Sequence, residues 1–267
     1  MNKILILFSL TILSAHSHSQ EIIQGPFLIR YGVTYQQNTN ALVTGVVVSF
    51  RENGQLESKV NYKDGKKDGF HESFYEKRQL RSKENHKDGK KHGLSERYHE
   101  NGQLARKGTY KDGEIDGFSE SFYDNGQLKH KGTVKDGRAV GLAEGYHENG
   151  QLSYKENHKD GKKHGLSERY HENGQLARKG TYKDGEIDGF SESFYDNGQL
   201  KHKGTVKDGR AVGLAEGYHE NGQLSYKDNY KDGKKHGLSE RYHENGQLAF
   251  KGCFKNDDYI DMSYCEK

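Results

Sequence analysis

Hydrophobic and polar positions alternate along most of the chain in short runs between polar turns, and the pattern returns every 24 residues. One unit shows it: Leu94-Ser95-Glu96-Arg97-Tyr98-His99-Glu100-Asn101-Gly102-Gln103-Leu104-Ala105-Arg106-Lys107-Gly108-Thr109-Tyr110-Lys111-Asp112-Gly113. Alternation at period two marks a half-buried strand, and Asn-Gly or Asp-Gly between two such runs marks a hairpin turn. Each unit therefore reads as a β-hairpin. Asn-Gly-Gln-Leu begins at Asn53, Asn101, Asn125, Asn149, Asn173, Asn197, Asn221 and Asn245, and the degenerate Lys77-Arg78-Gln79-Leu80 fills the gap, giving nine units.

Register follows from parity. A two-residue Asn-Gly loop would pair Tyr98 with Ala105 and place Tyr98 and Leu104 on opposite faces. A three-residue loop, Glu100-Asn101-Gly102 with Gly102 left-handed in a G1 bulge, pairs Tyr98 with Leu104 instead. The second register gathers Leu94, Tyr98, Leu104 and Tyr110 on one face and Ser95, Arg97, His99 and Lys107 on the other, so it is preferred. The expected fold is all-β: an elongated single-layer antiparallel ribbon of about nine tandem hairpins, roughly 85 Å long before twist at about 4.8 Å per strand. A ladder of Phe50, Phe74, Tyr98, Phe122, Tyr146, Tyr170, Phe194, Tyr218 and Tyr242 is expected to hold it together by stacking.

Residues 83–154 and 155–226 are identical over 72 positions, a block of three units present twice. Such lengthening suits an array in which each unit touches only its neighbours. Outside the array the pattern changes. Lys3, an apolar run from Ile4 to Leu13 and a small, polar stretch through Gln20 read as a signal peptide over residues 1–19, with cleavage near Ser19. The run is shorter than the ~20 residues a membrane-spanning helix needs, so no transmembrane segment is expected after its removal. Residues 20–43, with Pro26, Phe27, Tyr31 and Tyr35, are expected to cap the first edge, 44–252 to form the repeats and 253–267 to cap the far end. Export makes the expected location secreted or periplasmic. There Cys253 and Cys265 can close a disulfide, with two free thiols as the other reading.

Composition qualifies this picture in two ways. Only 30% of the residues are hydrophobic and 30% are charged, close to the disordered regime, but 18 Tyr, 11 Phe and 34 Gly suit short aromatic strands joined by tight turns. The net charge is +3, which supplies no field for nucleic acid.

Tyr-x-x-Asn-Gly-Gln-Leu followed by Lys-Gly-x-Tyr-Lys-Asp-Gly-Lys-x-x-Gly resembles the variant MORN repeat of bacterial proteins, often labelled YwqK-type antitoxins. The resemblance covers roughly residues 44–252 in nine copies. It implies a hairpin ribbon that mediates protein association, with membrane binding proposed for some members, and the antitoxin label implies neutralising a toxin by contact. It brings no catalytic residues.

The remaining chemistry gives no site. His99, His147, His171, His219 and His243 recur two strands apart, about 9.6 Å, which is too far for two of them to share a zinc ion at ~2.0–2.1 Å. A pair such as His92 with His99 stays open, and the expectation is no metal. Single Asp-Gly turns followed by Lys66, Lys90, Lys162 or Lys234 do not converge on calcium. Glu72, Glu96, Glu120, Glu144, Glu168, Glu192, Glu216 and Glu240 with Lys83, Lys107, Lys131, Lys155, Lys179, Lys203, Lys227 and Lys251 read as a cross-strand charge lattice. No catalytic constellation and no cofactor motif is present. The expectation is a non-enzymatic, exported rod that binds or scaffolds a protein multivalently, the partner itself and its contact residues unknown. The alternatives are an antitoxin or immunity protein, and a carbohydrate or cell-wall binder using Tyr123 and Tyr195; a membrane surface is a further partner class that no residue pattern supports.

Overall fold

The computed structural model describes residues 22–23, 27–30, 32–37 and 39–266. The leader assigned to 1–19 lies outside them, as do Pro26 and Tyr31. From Gly45–Phe50 to Asp258–Ile260 each strand pairs antiparallel with the next in chain order, inside a 20-stranded sheet. Ile22–Ile23 adds a parallel strand along Val46 and Val47 at the first edge. A separate hairpin, Phe27–Arg30 with Val33–Gln36, joins the first repeat where Thr34 N–H donates to the Gly65 carbonyl at 2.8 Å. At the far end, Cys253 and Cys265 are joined in a disulfide with their Cα atoms 6.0 Å apart.

The two turns of a unit are chemically distinct. At Asp112-Gly113 both residues have positive φ, 52° and 100°, and Lys111 faces Glu114. This is a two-residue hairpin loop whose first position tolerates Asp and whose second favours Gly. At the other turn Gly102 has φ 86°, His99 N–H donates to Gln103 O at 2.8 Å, and Tyr98 faces Leu104. The three-residue loop expected from parity is the one observed.

The faces differ from the expectation because a further residue is extruded just beyond this loop. Tyr98 faces Leu104 but Arg97 faces Arg106, leaving Ala105 unpaired, and one extra residue reverses every side chain after it. Lys107 therefore faces Glu96 and shares the face of Leu94 and Tyr98, while Tyr110 faces Gly93 on the face of Ser95 and Arg97. A second irregularity follows. Ile115 faces Tyr110, yet Ser119 faces Gly108, with Gly117 at φ 118° in the interruption. There the Thr109 hydroxyl donates to the Asp116 carbonyl at 2.7 Å, satisfying a group the ladder leaves unpaired.

The array is not held by ring stacking. Among the described residues no ring of the Phe50-to-Tyr242 ladder lies against another. Equivalent positions are two strands apart, beyond ring contact. Units are instead stapled at both turn rows. Beside the Asn-Gly turns, the residue after each ladder aromatic reaches the next unit's ladder carbonyl: Tyr75 hydroxyl to Tyr98 O at 2.8 Å, His99 Nε2 to Phe122 O at 3.2 Å, Tyr123 hydroxyl to Tyr146 O at 2.8 Å and His147 Nε2 to Tyr170 O at 3.0 Å. Asn101 Nδ2 likewise donates to Asp124 O at 2.6 Å while its Oδ1 accepts from Gln103 N–H at 3.0 Å. Beside the Asp-Gly turns, Gly113 N–H donates to Lys91 O at 2.9 Å. Replacing His147 by alanine is expected to cost about 1 kcal/mol, one net hydrogen bond. Hydrogen exchange should quicken at the turns holding His147 and His171 while the terminal units keep their protection, since coupling in an array is to nearest neighbours.

Candidate functional site

Because burial is shallow, the two faces carry different chemistry. The buried one is lined by small side chains, including Ser95, Ser119, Ala143, Ser167, Ala215 and Ser239, and it encloses three acids: Glu84, Glu156 and Asp228. These three recur 72 residues apart, once per three-unit block. Lys91 Nζ lies 2.7 Å from Glu84 Oε1, and Lys163 Nζ 2.6 Å from Glu156 Oε1. Asp228 receives Arg241 through both nitrogens, at 2.8 and 2.9 Å, and the Ser239 hydroxyl at 2.6 Å. Around Glu84 the sheet also gathers His71 and His86. Burial, reinforced by the positive charge of Lys67, lowers the His71 imidazole to about 4.

The opposite face is exposed. Phe70, Phe118, Leu142, Leu166, Phe190 and Leu214 stand one per repeat and are 37–50% exposed. They are large apolar groups that a sheet with one solvated face would normally replace with polar ones. Beside them runs the Glu/Lys lattice, with Glu144 opposite Lys131 on one neighbouring strand and Lys155 on the other, at 2.6 and 3.8 Å. The lysines fold over the phenylalanines, Lys83 Nζ 5.0 Å from the Phe70 ring centre and Lys179 Nζ 5.8 Å from that of Phe190. Tyr170 hydroxyl donates to Glu168 Oε2 at 3.0 Å, and burial together with that bond pushes the phenol up to about 12. The face is thus a row of apolar pegs in a balanced charge lattice, suited to broad contact.

Several residues singled out in the sequence have structural work. His99, His147, His171 and His219 staple neighbouring units. His92 and His99 are engaged separately, His92 Nδ1 standing 3.6 Å from Asp112 Oδ1. Tyr123 and Tyr195 spend their hydroxyls on Tyr146 O and Tyr218 O, and Lys129 and Lys201 cover their rings, so neither is a free platform for a sugar. Two features escaped the sequence reading. The peg row lies outside the expected ladder and is not singled out by the sequence, and the approach of His71 to Glu84 and His86 needs cross-strand register to be seen. Its sequence signal is His71, which stands where the first unit has Val47 and all later units have Ser or Ala.

Eight stretches, 43–64, 91–112, 116–136, 139–160, 163–184, 188–208, 211–232 and 235–256, match the model of the MORN repeat variant. The chain belongs to the MORN repeat variant family. Members of this family are generally non-catalytic, and MORN repeats support a repeat protein that binds protein or membrane. The matches to this MORN chain leave out residues 65–90, which contain the degenerate Lys77-Arg78-Gln79-Leu80 together with His71, Glu84 and His86. Among solved structures, the chain is similar to a crystal structure of TcdB2-TccC3 at 11% identity and TM-score 0.20, covering 79% of this chain and 14% of that one. It is also similar to one of TcdB2-TccC3-Cdc42 at 13% identity and TM-score 0.20, covering 80% of this chain and 14% of that one. The MORN chain thus spans about one seventh of the length of the structures it matches. No curated protein matches it. Among the described residues no helix is long and apolar enough to cross a membrane.

Proposed function

We propose that this MORN repeat protein is an exported, non-enzymatic rod that binds a protein partner multivalently along its peg-bearing face. The observation that carries the reading is the exposed Phe/Leu row, repeated once per hairpin within a charge lattice that leaves no net field. Apolar pegs supply contact area, the paired charges supply polar complementarity at the rim, and identical units supply valency. A processed chain beginning near Gln20 and found outside the cytosol is the expected product in a native-like host. N-terminal sequencing of each fraction checks that.

A photocrosslinking residue at Leu142 is expected to capture the partner, whereas one at Ser167 on the buried face is expected to capture nothing. With the captured protein as titrant, deleting 155–226 should weaken binding in steps, since three of the six exposed pegs, Leu166, Phe190 and Leu214, are lost while the flanking repeats still join in phase. Unchanged affinity or complete loss would replace the rod with the second reading, an antitoxin or immunity protein that engages a toxin through one fixed region. Adducts to lipid alone would move the proposal to a membrane surface.

A further inference from the structure

We propose that His71, Glu84 and His86 form a binding site for a single late first-row divalent cation of the zinc class, built only in the degenerate second repeat. His71 sits directly across from Glu84 on the neighbouring strand, and His86 follows Glu84 by two residues on the same face. Glu84 Oε2 lies 3.9 Å from His71 Nδ1 and 3.9 Å from His86 Nε2. Ligands at about 2.0–2.2 Å from a tetrahedral ion are separated by roughly 3.4 Å, so a contraction of about half an ångström closes each Glu–His pair, and all three ligand atoms already lie within 4.8 Å of one another. Two imidazoles and one carboxylate form a donor set that zinc takes readily and that leaves a position for solvent.

His86 is buried, its side chain 7% exposed, and Nε2 is the nitrogen it turns toward Glu84. Its Nδ1 has no hydrogen-bond partner, but so has that of His158 where the third ligand is missing, so the site rests on the placement of the three groups. Lys91 holds Glu84 Oε1 at 2.7 Å and thereby presents Oε2 to the histidines, the orienting role a second layer plays around a metal. Lys67 Nζ, 3.4 Å from His71 Nδ1, is the cation now nearest the set, and its flexible stem lets it withdraw. Burial keeps both imidazoles neutral near pH 7, so each has one unprotonated nitrogen, that of His71 being available once Lys67 withdraws. Access is open, since His71 and Glu84 border a groove of about 490 Å³.

The chain contains its own control. Glu156, His158, Lys163 and Arg169 repeat the arrangement of Glu84, His86, Lys91 and Arg97, but Ala143 faces Glu156 where His71 faces Glu84. The untagged full chain, titrated with Zn²⁺ by calorimetry and with Co²⁺ by visible absorption, is expected to take up one saturable equivalent. His71→Ala should weaken binding on the order of 100-fold or more, the loss of one of three ligands exceeding the 10–100-fold typical of orienting partners. Ala143→His should create a second equivalent in a chain whose fold is otherwise undisturbed. No saturable uptake by the natural chain, or uptake unchanged in His71→Ala, would overturn the site. One equivalent persisting in Ala143→His would show that the triad does not suffice.

Discussion

Replacing Asp228 by alanine is expected to destabilise the last units of the array by about 2–3 kcal/mol, the loss of the charge-assisted hydrogen bonds that a buried carboxylate accepts. The Asp228 side chain is 3% exposed and receives Arg241, Ser239 and, at 3.3 Å, Lys235. Its loss strands the Ser239 hydroxyl, in a residue 2% exposed, and leaves Arg241 without its bidentate partner. Because an array couples to nearest neighbours, the loss should appear as opening of the segment from Tyr226 to the C-terminus and not as collapse of the rod. Hydrogen exchange resolved by segment distinguishes the two. The same site sets an acid limit. Burial alone would raise the Asp228 carboxyl, but the bonds from Arg241 and Ser239 and the charges of Arg241 and Lys235 outweigh it, and the group is lowered. A folded value below the unfolded ~3.9 contributes stability that is fully present above pH ~4 and is lost as pH falls through the folded value. Asp228→Asn should therefore be less stable at pH 7 and lose less protection in the last units across that window than the natural chain does, the remaining loss coming from other lowered carboxylates such as Glu216.

Much of this fold is legible because its turns demand particular residues. Asp112-Gly113 spells a loop with two positive φ angles, and parity between Tyr98 and Leu104 selects a three-residue loop at Asn101-Gly102. Bulges are less visible. Ala105 has no compositional mark, yet extruding it moved Tyr110 and Lys107 to the faces opposite those expected. The staple role of His147 was hidden for a different reason, since its acceptor is a backbone carbonyl 23 residues away and main-chain acceptors leave no trace in side-chain patterns. Stacking of the aromatic ladder was expected from its regularity, but regularity at hairpin spacing places the rings too far apart to touch. The His71 cluster lies between these cases. Each residue is plain in the sequence, and only the pairing of His71 with Glu84 makes them neighbours.

The second large effect is expected at Gly117, where Gly117→Ala should cost about 2–3 kcal/mol. Its φ of 118° lies beyond the left-handed region that other residues can enter, and a held conformation of that kind costs on the order of 1–3 kcal/mol for a residue with a Cβ. The new methyl would also fall on the Thr109 Oγ1, the atom that donates to the Asp116 carbonyl inside the bulge. Gly141 is the corresponding glycine one unit later and offers the contrast. It has φ 67°, within reach of an ordinary residue, and open space where a Cβ would be, so Gly141→Ala should cost about 1 kcal/mol. Thr109→Ala removes the obstructing hydroxyl and should recover part of the loss in the double variant, leaving the backbone term. Urea denaturation of the four variants measures the cycle. Equal losses at Gly117 and Gly141 would mean that the bulge is set by strand pairing and not by its glycine. An unequal pair with positive coupling to Thr109 would make Thr109 and Gly117 the pair that fixes where this strand is interrupted, and hence which side chains of this hairpin face outward.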